Sequence, residues 1–309
     1  MLHVDANENI DWLLGLLPRL QSDIFSSLTT TSSNANLLLG YFHTLRRLVL
    51  LDVHSEQPLP DIRSIPLLDR VSIRMSPQSD NDSNLDRILM HPWLPESVTA
   101  LDIDVAHRLS NRSHGSVNGS SLTHVHEFIV GDCYWSVLLK LLPLFPRLRL
   151  LRVDIVRTDR AYAFNLGFSR LSCDFRLVKL QRLVFTWEDV DIDGILRLLE
   201  LMPNLVGYQL RGTFNGAFPR KVISFETWFR LTQHCRGEHL NSCSIELRMA
   251  AGMNPAVSFF AEDVRHYLHD IHMTWNTDVI RVGQQRRIRS TWLREVSTLF
   301  GPYPLLNSF

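Results

Sequence analysis

The sequence predicts an α/β fold in which short parallel strands alternate with helices or irregular segments, and in which one unit is stacked many times. Three observations lead to this prediction. A phrase made of an apolar residue, any two residues, an apolar residue, any one residue and an apolar residue occurs eight times. Prolines stand two or three residues ahead of four of these phrases. One intervening segment has the periodicity of an amphipathic helix.

The repeated phrase has the period of a leucine-rich repeat. Its first positions run from Leu45 to Leu240 in seven steps, so the mean period is about 28 residues. A unit of this size cannot bury its apolar side alone, and stacked copies therefore share one continuous core. The copies are Leu45/Leu48/Leu50, Leu68/Val71/Ile73, Val98/Leu101/Ile103, Val125/Phe128/Val130, Leu148/Leu151/Val153, Leu180/Leu183/Phe185, Leu205/Tyr208/Leu210 and Leu240/Cys243/Ile245.

Each phrase predicts a half-buried strand, because alternate residues of a strand point to opposite faces of the sheet. The residues between the apolar positions include arginine and aspartate, as in Arg152 and Asp102. The main alternative is a doubly wound α/β sheet, whose strands are near-continuous apolar runs because helices cover both faces. The alternating pattern favours an irregular leucine-rich-repeat solenoid, with a parallel sheet on its concave face and helices on its convex face.

The clearest helix precedes the seventh phrase. Ile195, Leu198, Leu199 and Met202 recur at the spacing of one helix face, and Pro203 ends the pattern. Prolines recur in the same place ahead of other phrases, which indicates an order of helix, proline and strand. These further prolines are Pro66, Pro95 and Pro146.

The chain divides into three segments. Residues 44–250 contain the eight phrases and form the predicted solenoid, although the successive spacings are uneven. Residues 1–43 are predicted to be an N-terminal cap or a vestigial F-box-like segment. Residues 251–309 contain a predicted helix at 262–271 and a basic stretch from Arg281 to Arg294, and we expect a C-terminal helical cap there.

Composition argues against several classes of partner. Lysine plus arginine equals aspartate plus glutamate, at 32 each, so no overall field attracts nucleic acid or a membrane surface. No apolar run has the length of a membrane span. The first seventeen residues lack the basic cluster of a secretory signal, and four cysteines do not make a disulfide framework. We therefore expect a cytoplasmic or nuclear protein.

The repeat region resembles F-box proteins with leucine-rich repeats. The resemblance covers about residues 40–250 and is strongest in "LLKLLPLFPRLRLLRVDI" and "DGILRLLELMPNLVGYQL". Near the N-terminus, Leu17-Pro18 and Ile24-Phe25 with Leu28 imitate an F-box opening, with an interval one residue short. The family resemblance implies substrate recognition for a cullin-type ubiquitin ligase, docked through the ligase adaptor. The alternative is a repeat-only interaction scaffold or inhibitor with no role in ubiquitination.

No motif of catalysis stands out, so an enzyme and a cofactor are not predicted. Phosphate-binding glycine loops, nucleophile elbows and the His-Glu-x-x-His motif are missing from the sequence. Four potential zinc ligands crowd into ten positions, but their order is not that of a zinc site, and we predict no metal. They are His234, Cys235, His239 and Cys243.

A protein partner is expected on the concave face of the sheet. Eight strands spaced about 4.8 Å apart give a surface roughly 34 Å across. Arginines are placed at both ends of this surface and carboxylates between them, which suits a partner of complementary charge. The residues predicted to contact the partner are Arg47, Arg70, Arg74, Asp102, Asp104, Glu127, Arg152, Asp154, Arg182, Arg211 and Glu246. Val49, Ser72, Ile129, Val184 and Gln209 are predicted to lie among them on the same surface.

Overall fold

The fold is a single extended sheet whose strands follow one another in chain order. The computed structural model describes residues 1–4, 10–19, 25–54, 59–76, 93–105, 121–157, 175–188, 192–214, 226, 229–230, 242–249 and 280–285. Eleven strands pair in the order in which they occur in the sequence. The first nine pairings are parallel and the last is antiparallel. The prediction of an α/β fold with a parallel sheet is therefore confirmed.

The elements are short. The strands are β1 (Leu2–Val4), β2 (Ser27–Thr31), β3 (Arg47–Val53), β4 (Arg70–Met75), β5 (Ala100–Val105), β6 (Glu127–Tyr134), β7 (Leu150–Arg157), β8 (Arg182–Glu188), β9 (Gly207–Phe214), β10 (Ser242–Met249) and β11 (Ile280–Gln285). The α-helices within the described ranges are α1 (Ile10–Leu16), α2 (Ser32–Leu38), α3 (Trp135–Leu141) and α4 (Ile192–Glu200). Short 3₁₀ turns continue α1, α2 and α3 at Leu17–Arg19, Leu39–Tyr41 and Leu142–Leu144.

The second and third apolar positions of the eight phrases lie on β3 to β10 and are aligned with one another. The second apolar position of each phrase pairs with that of the next, as Leu48 does with Val71 and Leu183 with Tyr208. The third positions pair in the same way. The first seven copies have all three apolar side chains buried, at 4% exposure or less. Because a slip of one residue would expose the whole apolar set, the pattern fixes the register.

A repeated hydrogen-bond arrangement joins consecutive strands from β2 to β9. Just before each strand, one carbonyl accepts the N–H groups of two successive residues that begin the following strand. The Arg149 carbonyl, for example, accepts from Gln181 at 2.9 Å and from Arg182 at 3.0 Å. The carbonyls that accept in this way belong to Ser26, Arg46, Asp69, Thr99, His126, Arg149 and Gln181.

A turn of one type precedes the five strands β4 to β8, and it explains two of the prolines. The first apolar residue of a phrase donates its N–H to the carbonyl three residues earlier, as from Leu68 to Ile65 and from Leu148 to Phe145. Pro66 and Pro146 occupy the second position of these two turns. Proline is favoured at that position because its fixed φ matches the turn. The turn also uses no N–H from this residue, so the N–H that proline lacks is not needed.

The core runs as one cluster along one side of the sheet. Helices α2, α3 and α4 lie in three of the connections and bury apolar side chains against it. Helix α4 spans Ile192–Glu200, in agreement with the helix predicted before Pro203. The described part of the β3–β4 connection, His54 and residues 59–69, contains turns and no helix.

Three strands have an extra residue directly after their third apolar position. In β3, the residues Leu51 and Asp52 separate buried Leu50 from buried Val53, and Asp52 has a φ of 49°. Aspartate tolerates this left-handed backbone better than most side chains. Corresponding pairs of residues occur in β6, at Gly131–Asp132, and in β7, at Asp154–Ile155. These bulges place carboxylates near the ends of the strands.

Both ends of the sheet contain strands that the sequence analysis does not predict. Within residues 1–43, β1 and β2 extend the sheet in parallel ahead of β3, and Leu28 of the F-box-like pattern lies in β2. At the other end, β11 runs antiparallel to β10 and contains Arg281. The helix predicted at 262–271 lies outside the described residues.

A candidate protein-binding face

The surface opposite the core displays the charged residues of the strands. We call charged face the set Arg70, Arg74, Asp102, Asp104, Glu127, Arg152 and Asp154, which lie on β4 to β7 and point away from the core. All of these side chains are half-buried rather than fully solvated. Partial burial reduces the screening of their charges by water and makes their hydrogen bonds stronger than those of fully exposed groups.

One ion pair on this face bridges three strands. Arg70 on β4 donates through Nη2 to Oε2 of Glu127 on β6 at 2.8 Å. Ala100 on β5 lies between them in the register, paired with Arg70 on one side and with Glu127 on the other. Neighbouring strands are about 4.8 Å apart, and the methyl group of Ala100 leaves the space above it open. The arginine therefore spans the intervening strand.

A second ion pair is bidentate. Both terminal nitrogens of Arg74 donate to the two carboxylate oxygens of Asp102, at 3.0 and 2.8 Å. Two parallel hydrogen bonds fix the plane of the guanidinium group as well as its position. Asp102 is paired in the register with Ser72, so Arg74 reaches back diagonally to it from two residues further along β4.

The prediction that Ser72 lies on the surface is wrong. Its side chain is fully buried, and its hydroxyl has no hydrogen-bond partner within the described ranges. Ser72 pairs with Val49 and Asp102 on the neighbouring strands and lies between Arg70 and Arg74 on its own strand. A short side chain among longer ones is covered by them, even on the outer face of a sheet.

The other members of the charged face also have partners in the chain. Asp104 accepts the backbone N–H of Met75 at 3.0 Å. Arg152 donates through Nε to Asp154, and Arg152 is the more buried of the two, at 11% exposure. The charges therefore form local ion pairs and hydrogen bonds across and along the strands, and arginine and carboxylate blocks are not separate on this part of the sheet.

The remaining predicted contact residues lie around the charged face. Arg47 at the start of β3 is exposed, with no ion pair among the described residues. Arg182 is half-buried on β8, and Arg211 on β9 is exposed. When the Gln209 amide is oriented with its oxygen toward Arg211, that oxygen accepts from the guanidinium at 3.0 and 3.2 Å. Glu246 is on β10, and its side chain lies outside the described part of the structure.

Sequence reasoning missed Ala100 and Gly131, which shape the face without contributing a charge. Ala100 lies between Arg70 and Glu127 in the register, and Gly131 lies so close to the Asp104 carbonyl of β5 that a Cβ atom would meet it. An alanine flanked in the register by charged residues is the signal that identifies Ala100. Its interpretation requires the register, which the eight phrases supply.

The strength of the bidentate pair can be measured by a double-mutant cycle. We expect Arg74→Ala, Asp102→Ala and the double variant to give a coupling free energy of about 1 kcal/mol, because the pair is half-exposed but has ideal geometry. Urea unfolding at 50 mM and 500 mM NaCl measures it, and the coupling should shrink in the higher salt. Additive single-variant effects at low salt would contradict the bonded geometry.

A histidine beside the face titrates abnormally. The pKa of His124 is lowered, chiefly because the side chain is partly buried. The negative charge of nearby Glu96 raises this pKa, and the positive charge of His126 lowers it. Its Nε2 atom is buried without a partner in the part of the chain that is described. Protonation would place a charge on an imidazole that has little access to water.

The lowered pKa of His124 makes stability depend on pH. The unfolded chain takes up a proton on this residue near pH 6.5, before the folded chain does. We therefore expect the unfolding free energy to fall as the pH is lowered below about 6.5, until the folded pKa is passed. Urea unfolding between pH 7.5 and 5 should show a shallower decline in His124→Gln. Equal slopes in both proteins would be inconsistent with this assignment.

Metal binding and membrane insertion can be tested only on the described part of the structure. Within it, no group of three or more histidine, cysteine, aspartate or glutamate side chains is arranged to hold a metal ion. His234, Cys235 and His239 lie outside the described residues, and so does the side chain of Cys243. Of the helices in the described ranges, none is both long and apolar enough to cross a membrane.

Comparisons with protein-family models, with curated proteins and with solved structures found no match for this chain.

Proposed function

We propose that this chain is a leucine-rich-repeat module that binds another protein through the charged face. The observation that supports it best is the combination of one repeated strand register with half-buried ion pairs on the outer surface. The backbone ladder holds neighbouring strands in a fixed relation, and the ion pairs hold the side chains on them. A surface prepared in this way loses little conformational entropy on binding.

The repeat architecture itself is part of the proposal. The period of about 28 residues, the consecutive strand order and the repeated turn ahead of the strands all favour a solenoid of about eight repeats. In such a solenoid the parallel strands line the concave side, and an extended concave surface suits a folded partner better than a small molecule. We expect no catalytic step and no cofactor.

The partner's role is proposed from the resemblance to F-box proteins with leucine-rich repeats. We propose that the chain recognises substrates for a cullin-type ubiquitin ligase. A scaffold or inhibitor that has only repeats and no link to ubiquitination is the alternative. The paired arginines and carboxylates of the charged face serve either role, since both require selective recognition of a protein surface.

Affinity capture with a matched pair of variants tests this proposal. The native chain, a face variant Arg70→Glu/Arg74→Glu and a control variant Arg63→Glu/Arg197→Glu are expressed in the cells of origin. Arg63 and Arg197 are exposed and lie off the charged face. We expect a stoichiometric partner with the native and control proteins and its loss, by at least tenfold, with the face variant.

The captured proteins also separate the two roles. Recovery of a cullin and its adaptor together with the partner supports substrate recognition for ubiquitination. Recovery of the partner without them supports the scaffold or inhibitor. Equal recovery of every partner by the face variant would show that the charged face is not the binding surface.

A further inference from the structure

A second charged surface lies at one edge of the sheet, where the strands begin. Arg147 and Lys179 occupy the turns that lead into β7 and β8, and Arg149 follows directly before β7. All three side chains are exposed. We call these three residues the basic edge. It differs from the charged face in position, because its members precede the strands instead of lying along them.

The chain places these cations next to one another. Leu148 and Leu180 close the same kind of turn, with N–H bonds to Phe145 and Leu177. Arg147 and Lys179 immediately precede these two leucines, so they occupy corresponding positions of consecutive repeats. The Arg149 carbonyl accepts from the N–H groups of Gln181 and Arg182, which brings the two turns to the distance between adjacent strands, about 4.8 Å.

Among the described residues, no carboxylate is paired with the basic edge. Two other exposed arginines have a carboxylate nearby: Arg46 lies 3.9 Å from Asp69, and Arg63 lies 3.0 Å from Asp61. Arg147, Arg149 and Lys179 make no ion pair or side-chain hydrogen bond in the described structure. Like charges on neighbouring strands repel each other. A binding partner that brings negative charge relieves that repulsion.

At the equivalent positions of an earlier pair of repeats, an arginine has a carboxylate as its neighbour. The residue that follows the first apolar position is Arg46 before β3 and Asp69 before β4, a complementary pair. At the same positions before β7 and β8 the chain has Arg149 and Gln181. The fold therefore accommodates a carboxylate beside an arginine at this position, and the β7–β8 edge lacks one.

We propose that the basic edge binds a short acidic segment of a partner protein. In an extended peptide, alternate side chains lie on one side about 7 Å apart, so two or three carboxylates can reach the three cations together. Three cations are too few to hold a nucleic acid duplex firmly, because duplex affinity depends on neutralising many phosphates. The proposal does not depend on the charged face or on a role in ubiquitination.

A labelled acidic peptide tests the proposal. A fluorescein-labelled twelve-residue peptide with alternating glutamate and serine, its glutamine counterpart and a twelve-nucleotide thymidine strand are titrated with the full chain at 50 mM salt. The edge variant is Arg147→Glu/Arg149→Glu/Lys179→Glu. The control variant is Arg46→Glu/Arg63→Glu/Arg197→Glu, which changes the net charge by the same amount.

We expect the native chain to bind the glutamate peptide and not its glutamine counterpart. The edge variant should weaken this binding at least tenfold and the control less than threefold. Equal weakening in both variants would show that only overall charge matters and would overturn the proposal. Tighter binding of the thymidine strand than of the peptide, lost in the edge variant, would overturn the choice of an acidic peptide. Circular dichroism checks folding, and Arg147→Gln/Arg149→Gln/Lys179→Gln replaces an edge variant that fails to fold.

Discussion

Gly131→Ala is expected to destabilise the protein by about 3 kcal/mol or more. A Cβ atom at this position would lie 1.8 Å from the carbonyl oxygen of Asp104 on the neighbouring strand and 2.6 Å from its carbonyl carbon. Both atoms belong to the backbone, so relief requires the two strands to move apart. Strands β5 and β6 are paired on both sides of this point, and their separation would disturb the sheet at its centre.

Gly15→Ala is the matched control for this substitution. Gly15 lies in α1, and a Cβ atom built there meets nothing within 4 Å. Alanine at this helical position should raise the unfolding free energy by up to about 1 kcal/mol. Urea unfolding of both variants measures the contrast. A Gly131→Ala protein as stable as the native chain would show that the two strands are not so close at this point.

Trp187→Ala is expected to cost about 3–5 kcal/mol. Trp187 is on β8, and its side chain is fully buried in the core, where its ring stacks on Trp135 at a centroid distance of 4.6 Å. Phe185 meets it edge-on at 5.5 Å, and meets Trp135 in the same way at 6.2 Å. Removing the indole would leave a large cavity and take away two aromatic contacts at once.

Trp12→Ala supplies the comparison for Trp187. Trp12 is on α1 and is 57% exposed, so its loss should change the unfolding free energy by less than about 1 kcal/mol. Denaturant midpoints of the two variants, measured with circular dichroism, rank the two positions. If Trp12→Ala lowered the unfolding free energy as much as Trp187→Ala, burial in the aromatic cluster would not be the source of the stability that Trp187 provides.

The register of the sheet could be predicted from the sequence because one pattern repeats. Each copy of the phrase has its apolar residues at the same spacing, and burial of one face then leaves a single alignment, as Leu151 with Leu183 shows. The outward residues follow from the same alternation. Arg70, Asp102 and Arg152 therefore lie on the predicted side of the sheet.

Strand β2 was missed because its core positions are not all apolar. Phe25, Leu28 and Thr30 have the spacing of the phrase, and Thr30 is fully buried in the third position. A threonine contributes one methyl group to a core and a hydroxyl that favours water, so a search for apolar residues passes over it. β-Branched threonine nevertheless fits a strand well.

The ion pairs of the charged face could not be predicted from the order of residues alone. Arg70 and Glu127 are separated by 57 positions. Their contact depends on two consecutive registers and on the small side chain of Ala100 between them. The sequence predicts that both side chains point outward. Whether they bond to each other or face water depends on their lengths and on the distance between them across the sheet.

The chain-order pairing of the strands has a consequence for how the protein is made on the ribosome. From β2 to β10, each strand pairs with the one synthesised just before it. From β3 to β9, two successive N–H groups at the start of the strand also meet a carbonyl that was synthesised earlier. No strand in this series has to wait for a partner that is translated much later. Growth of the sheet can therefore keep pace with synthesis, and the apolar edge exposed at any moment is that of the newest strand.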